Sequence, residues 1–290
     1  MTIEQPARAA EADDSRTEKR GIVGCTDWLG RIVCGDNTEV LSGFPAECVD
    51  LVVTSPPYDD LRTYGGHSWN FETLAAQLVR VLKPGGVIVW VVADATVNGS
   101  ETLTSMRQAL YFKDECGLNV HDTMIYRRET IPMNSNRYQP EWEYMLVLSK
   151  GTPKTVNLLR EPSRLHLWGR PEYGRTNAQR AVNGETKKRS HRKLTSETKV
   201  RGNVWQYNAR PNPSQDPKKW GHPATFPDLL ASDHILTWTE PGDVVLDPCN
   251  GSGTTTQAAK RLGRQYVGIE INPAYCEIAK TRLAQEILPL

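Results

Sequence analysis

No stretch of this 290-residue chain approaches the ~18 consecutive apolar residues of a membrane-spanning helix, and its N-terminus is polar rather than signal-like. The cysteines, Cys25, Cys34, Cys48, Cys116, Cys249 and Cys276, contain no CxxC pair and no His-rich spacing. A zinc site or a disulfide framework therefore lacks its usual signature, no metal is expected, and the thiols read as reduced core residues of a cytoplasmic protein. A G-x-x-x-x-G-K-[ST] phosphate loop is also missing, as is any internal repeat. The length accommodates one large domain or two small ones.

Charge of one sign is lacking overall, with 35 basic against 34 acidic residues. The balance is local rather than uniform. Residues 151–220 hold 16 Lys and Arg against 5 Asp and Glu, which leaves the remainder at −10. A basic module on an acidic body suits a polyanionic partner; the competing reading is a solvated loop. Residues 1–20 read as a mobile tail, 21–150 and 221–290 as the two halves of one α/β domain, and 151–220 as an insert.

Along the chain, Arg31 to Cys34 reads as a strand running into Gly35-Asp36, with a helical stretch near Thr38 to Leu41. Val49 to Val53 reads as a buried strand that breaks into Thr54-Ser55-Pro56-Pro57-Tyr58. Phe71 to Leu82 carries helical spacing and stops at Lys83-Pro84-Gly85-Gly86; Val87 to Asp94 follows as a strand. Thr123 to Arg128 and Glu143 to Lys150 are placed to pair as an antiparallel edge hairpin. After the insert come a helix from about Pro227, then strand, Gly-rich turn and helix, then strand, acidic turn and helix. This alternation predicts a doubly wound, mostly parallel sheet with its sites at the strand C-termini.

Two loops carry chemistry. In "DPCNGSG", Asp247 to Gly253, glycines let the backbone approach a ligand at the start of a helix near Thr254. Glu270, ending "YVGIE", is placed to accept hydrogen bonds from ribose hydroxyls; the bland alternative is a tight turn with a solvent-facing glutamate. In the Ser55-Pro56-Pro57-Tyr58 loop the prolines fix φ and remove backbone donors, so rigid carbonyls are offered to something else. A plain rigid turn or a polyproline recognition segment is the competing reading.

Together, "TSPPY", "DPCNGSGTT", "GIEIN" and "HPATFP" resemble the S-adenosylmethionine-dependent DNA amino-methyltransferases of the β-class, over about Arg31 to Leu283. The resemblance implies a Rossmann-like methyltransferase sheet with circularly permuted motif order, and residues 151–220 as a target-recognition region. S-adenosylmethionine is the implied cofactor. Asp247, Gly251 and Gly253 would line its methionine moiety, Glu270 its ribose, and Asp36 its adenine amino group. His222, Thr225, Phe226 and Pro227 would close over it, with Thr54, Pro248, Ser252, Thr254, Ile271 and Asn272 completing the site. Cys249 departs from the phenylalanine usual in that motif. Ser55 and the Pro56 carbonyl would accept hydrogen bonds from the exocyclic amino group of a flipped base stacked on Tyr58, with Pro57 holding the loop rigid.

A serine before Pro-Pro is commoner among cytosine-N4 enzymes, so cytosine is placed ahead of adenine-N6. A protein-glutamine methyltransferase and a non-catalytic nucleic-acid-binding protein are more distant alternatives. Double-stranded DNA is the implied partner, met through Lys187, Lys188, Arg189, Arg192 and Lys193, and no membrane partner is implied. A homodimer and a cognate restriction endonuclease stay open, as does nucleoid association through DNA in a bacterial or phage-type setting. Base choice is expected to draw on the pocket around Tyr58 and on less repetitive parts of the insert, such as "GNVWQYNARPNP", Gly202 to Pro213, where aromatic residues interleave with Arg and Asn.

Overall fold

The computed structural model describes residues 24–57, 70–128, 137–138, 140–163, 178–180, 186–188, 197–207 and 227–284. Six α-helices frame the described chain, after a 3-10 turn at Cys25–Trp28: α1 (Asn37–Ser42), α2 (Phe71–Val81), α3 (Thr104–Asp114), α4 (Asp228–Trp238), α5 (Thr254–Arg261) and α6 (Pro273–Ala284). The strands of the main sheet are β1 (Arg31–Cys34), β2 (Val49–Thr54), β3 (Leu82–Val92), β6 (Asn119–Arg128), β7 (Trp142–Ser149), β12 (Val204–Tyr207), β13 (Val244–Asp247) and β14 (Gln265–Glu270). Three small antiparallel pairs lie outside it: β4 (Thr96–Val97) with β5 (Ser100–Glu101), β8 (Arg160–Pro162) with β11 (Thr198–Val200), and β9 (Ala178–Arg180) with β10 (Thr186–Lys188).

The sheet order is β1-β14-β13-β2-β3-β7-β6-β12. Strands β1, β14, β13, β2 and β3 run parallel, β7 is antiparallel to β3 and β6, and β12 is parallel to β6. The expected antiparallel pair is therefore present, and β12 from the basic segment is added outside it. The consequence is geometric. The C-terminal ends of every strand except β7 lie along one edge, where a doubly wound sheet places its ligands.

Alternation along the strands feeds two cores. On one face Val52, Ile88, Trp90 and Leu148 pack with Leu41 of α1, Leu74 and Leu78 of α2 and Phe112 of α3. On the other, Leu51, Val53, Val89 and Val147 pack with Leu230 and Ile235 of α4 and Ala258 and Ala259 of α5. Fully burying each Leu, Ile or Val contributes about 1.5–3 kcal/mol. Trp90 keeps its indole N–H satisfied by donating to Gln108 Oε1 at 2.8 Å, as a buried polar atom requires.

The helix stops just before Lys83-Pro84-Gly85-Gly86, as expected, but one residue early: α2 ends at Val81 and β3 begins at once at Leu82. Val49 pairs with Leu82 but Leu51 already pairs with Val87, so the register shifts across these four residues. Pro84 has no N–H for the ladder, and Gly85 adopts φ +77, which few other residues tolerate.

Arg282 of α6 ties the glycine-rich turn to three helices. Its fully buried guanidinium donates to the Ser252 carbonyl at 2.6 Å and to Gln257 Oε1 at 2.6 Å, and lies 3.6 Å from Asp228. We expect Arg282→Ala to lower the unfolding free energy by about 1–3 kcal/mol, because it leaves the buried Ser252 carbonyl without its donor while Asp228 stays partly solvated. Urea denaturation measures the loss; a change within experimental error would mean that the turn is held by other contacts.

Candidate active site

The N-terminal half of the chain meets the C-terminal half where β2 lies beside β13. Thr54, the last residue of β2, is buried and donates from Oγ1 to Asp247 Oδ1 at 2.8 Å. Residues separated by 193 positions thus hold the start of the Pro-Pro loop against the start of the glycine-rich turn. Thr255, from the first turn of α5, adds a second tie by donating to the Val53 carbonyl at 3.1 Å. Ser55 and Pro57 are half-buried and Pro56 is buried at the C-terminal edge directly after β2. Tyr58 lies outside the described residues.

Asp247 is 2% exposed and also accepts from the Cys249 backbone N–H at 3.1 Å. Among the described residues no lysine or arginine pairs with it. Burial consequently pushes its carboxyl up to about 6, against the pull of the hydrogen bonds from Thr54, Cys249 and Thr255. Such a carboxylate is short of one cation.

The turn after Asp247 is shaped by backbone contacts. Gly253 adopts φ +86 immediately before α5, and a Cβ there would approach Ala279 Cβ to 3.0 Å. Asn250 Oδ1 accepts from Thr256 at 2.9 Å while the Asn250 side chain lies over Gly268, where a Cβ would come within 2.6 Å of it. Ser252 is held from below by Arg282. Thr254 opens α5 as expected.

Glu270 ends β14 with both oxygens engaged by backbone: Oε2 accepts from Gly251 N at 2.7 Å and Oε1 from Asn272 N at 2.9 Å. Burial raises its carboxyl above the ordinary value, and these amides oppose the rise. Each oxygen keeps a second lone-pair direction for a hydroxyl. Ile271 follows, half-buried, and Asn272 caps α6 by accepting from Ala274 N at 2.9 Å. Across the parallel pair, Gly35 N donates to the Glu270 carbonyl at 2.9 Å, which brings Asp36 to the same edge. Asp36 caps α1, its Oδ1 accepting from Thr38 N at 2.8 Å and Glu39 N at 3.1 Å.

Sequence reasoning missed Asn37, Asn250, Thr255, Thr256 and Gly268. The only signal for them was their position inside or beside motifs already singled out. Asn37 Nδ2 donates to the Pro248 carbonyl at 3.2 Å and reaches Cys249 Sγ at 3.6 Å. Pro227 stands at the N-cap of α4; His222, Thr225 and Phe226 lie outside the described residues. Lys187 and Lys188 belong to β10, paired with β9, while Arg189, Arg192 and Lys193 lie outside.

The aromatic residues expected to help select a base are placed otherwise. Trp205 and Tyr207 are each 5% exposed in the core between β12 and α4, and the Tyr207 hydroxyl donates to Asp233 Oδ2 at 2.7 Å. Alternation in β12 turns both inward, so neither offers a free ring face to DNA.

A family described as DNA methylase, of the N6/N4 group, matches residues 49–281. The orphan methyltransferase M.BamHII of Bacillus amyloliquefaciens is 48% identical over 83% of this chain and 90% of its own length. The DNA adenine methyltransferase YhdJ of Escherichia coli K12 is 29% identical over 87% of this chain and 82% of its own. A DNA modification methylase from Thermus thermophilus, complexed with S-adenosyl-L-methionine, superposes with TM-score 0.57 at 26% identity, covering 88% of this chain and 93% of that one.

The buried Asp247 carboxyl has a pH consequence. Because its folded-state value of about 6 lies above the unfolded one, the folded state holds this proton more tightly. That stabilisation is present at acid pH and is lost as pH rises from about 4 through about 6. Asp247→Asn should remove this slope, gaining up to about 3 kcal/mol on the wild type between those limits. Urea denaturation across that range checks it; parallel curves would show that Asp247 is already ionised in the fold.

Proposed function

This chain belongs to the N6/N4 DNA methylase family, and we propose that it transfers a methyl group from S-adenosylmethionine to the exocyclic N4 of a flipped cytosine in double-stranded DNA. The observation that carries the reading is the Thr54–Asp247 hydrogen bond, 2.8 Å, which sets the Pro-Pro loop beside the glycine-rich turn. The donor set fits the cofactor. Asp247, buried and without a basic partner among the described residues, suits an ammonium group, and Glu270 suits a ribose diol. Glycine-shaped backbone between them leaves room for the ligand.

When bound, S-adenosylmethionine supplies an electrophilic methyl group on a cationic sulfur. The chain's part is to prepare the nucleophile. An exocyclic amino lone pair is delocalised into the base, and Ser55 Oγ with the Pro56 carbonyl would accept its two N–H groups, favouring a pyramidal nitrogen whose lone pair faces the methyl group. Stacking on Tyr58 would offset the cost of flipping by roughly 1–3 kcal/mol. A neutral serine at position 55 supports cytosine. The likeness to the E. coli adenine methyltransferase favours adenine-N6 as the second reading. The double-stranded DNA would be met in the cytoplasm, chiefly through residues 151–220.

Incubation of the protein with isotope-labelled S-adenosylmethionine and mixed-sequence DNA, followed by nucleoside mass spectrometry, is expected to give N4-methylcytosine. N6-methyladenine would transfer the assignment to the second reading, and neither base would overturn both. In the same assay Ser55→Ala should lower the single-turnover rate by on the order of a hundredfold while cofactor affinity holds within about twofold. A near-normal rate would remove Ser55 from the reacting centre.

Replacing Lys187, Lys188 and Arg189 by alanine should weaken binding to specific and unrelated duplexes alike. For every phosphate that goes unneutralised, the slope of log affinity against log salt should become shallower by about 1. Fluorescence anisotropy at several salt concentrations reads both; full affinity with an unchanged slope would make this run a solvated loop.

A further inference from the structure

Helix α4 is buried on most of its surface, with Leu230, Ala231, His234, Ile235 and Trp238 all inside. Apolar burial holds such a helix in place but is non-directional, so polar ties set its rotation about its own axis. Two carboxylates supply them. Asp233 faces β12 of the basic segment, where its Oδ2 accepts from the Tyr207 hydroxyl and from Arg201 Nη1, each at 2.7 Å. Arg201 lies over the Trp205 ring at 4.5 Å and the Tyr207 ring at 5.2 Å, and the Trp205 ring lies 4.7 Å from that of His234. Burial and the Arg201 charge push His234 down to about 3, so it stays neutral and brings no second cation to the carboxylate. Asp228 stands about 140° away around the helix, at 3.6 residues per turn. It therefore points to a different side, where it lies 3.6 Å from Arg282 Nη2. Arg282 Nη1 in turn donates to the Ser252 carbonyl at 2.6 Å, inside the glycine-rich turn. The basic segment also reaches the far end of α4: the Asn157 backbone N–H donates to the Thr237 carbonyl at 2.8 Å, and its side chain to Glu240 Oε1 at 2.9 Å.

We propose that Asp233 is a positioning residue for cofactor binding: it locks the rotation of α4 to the basic segment and thereby, through Asp228 and Arg282, fixes the Ser252 carbonyl and the turn around it. The proposal rests on the reading that residues 247–253 meet S-adenosylmethionine. Under it the cofactor site is complete only while β12 is docked on α4, which gives the basic segment a part in cofactor binding before any DNA is present. A carboxylate that only fastened β12 would matter to stability alone. One that sets the rotation of α4 matters to the cofactor as well.

The test compares Asp233→Ala, Asp233→Asn, Asp228→Ala, the Asp233→Ala/Asp228→Ala double variant and Lys83→Ala, each in the full chain without DNA. Calorimetry with S-adenosylmethionine gives cofactor affinity, and urea midpoints give stability. Asp233→Ala should weaken cofactor binding about five- to tenfold, the scale of losing one directional bond. Asp233→Asn keeps an oxygen that accepts from Tyr207 and Arg201, and should stay within about twofold of wild type. Asp228→Ala should weaken binding by a similar factor to Asp233→Ala, and the double variant should be little worse than the poorer single one, because both break the same path. Lys83→Ala breaks the 2.6 Å pair with Asp50 on the opposite edge of the sheet, and should lower the urea midpoint without moving cofactor affinity. Should Asp233→Ala not fold, Tyr207→Phe removes one donor to Asp233, keeps the ring, and should still weaken binding about threefold.

Unchanged cofactor affinity in Asp233→Ala, or in Tyr207→Phe where the alanine variant does not fold, would overturn the proposal. So would additive losses in the double variant, or Asp233→Asn as weak as Asp233→Ala. Lys83→Ala weakening binding as much as Asp233→Ala would overturn it too, since the loss would then follow stability alone. A wild type without affinity for S-adenosylmethionine would sink the reading of residues 247–253 and the positioning role with it. A wild type that binds, beside an Asp233→Ala variant that binds equally well, removes the positioning role and leaves that reading standing.

Discussion

The structure depends on β2 and β13 lying side by side in parallel. A parallel neighbour needs a crossover, and here the chain runs through nearly two hundred residues between the two strands before returning. What the return accomplishes is local. Thr54 and Asp247 end their strands at the same edge, and their side chains join before either loop has begun. The Pro-Pro loop is stiff because of its prolines and the glycine-rich turn is pinned by Arg282, Thr256 and Glu270. Fixing their common origin fixes both loops.

Two acids at this edge are handled in opposite ways. Glu270 is surrounded by backbone amides that act as fixed partial charges, which partly restore its ionised form in a buried setting. Asp247 also accepts hydrogen bonds, from Thr54, Cys249 and Thr255, but it is more deeply buried, and its carboxyl is pushed up to about 6. On the proposed reading Glu270 would meet neutral hydroxyls and Asp247 a cation. At the opposite edge Asp50 is handled in the ordinary way, paired with Lys83 at 2.6 Å and near Lys154 at 3.6 Å. The contrast leaves Asp247 as a buried acid without a basic partner among the described residues, as the proposed function requires.

Much of this was legible because the motifs are contiguous. The run from Asp247 to Gly253 and the strand ending at Glu270 specify strand, turn and acid in a few residues, and hydrophobic alternation set the strands around them. What was not legible was set by partners far away in sequence. Gly268 looks like one more glycine in a strand until the Asn250 side chain is seen lying on it. Thr255 and Thr256 read as helix-starting polar residues, yet one holds β2 and the other holds Asn250. Lys83 to Gly86 carried the local signs of a stop, and α2 does end just before it, but nothing local showed that β2 pairs with β3 on both sides of the run. The aromatics of β12 were misjudged because a charge-rich neighbourhood outweighed a four-residue alternation.

That last misjudgement bears on how a basic segment is joined to an acidic body. Val204 to Tyr207 extends the catalytic sheet beyond β6, and Arg201 pairs with Asp233 of α4 at 2.7 Å while lying over the Trp205 ring at 4.5 Å. These residues commit their charge and their rings to the body itself. The strand that carries Lys187 and Lys188 sits instead in a two-stranded ladder that, among the described residues, shares no pairing with the main sheet. Counting Lys and Arg over residues 151–220 therefore mixes two placements. Charges near β12 fasten the segment, and removing one strands a buried or half-buried partner. The β9–β10 ladder adds no backbone pairing to that fastening, so the reading of its lysines as phosphate contacts bears on the salt dependence of DNA binding rather than on the stability of the sheet.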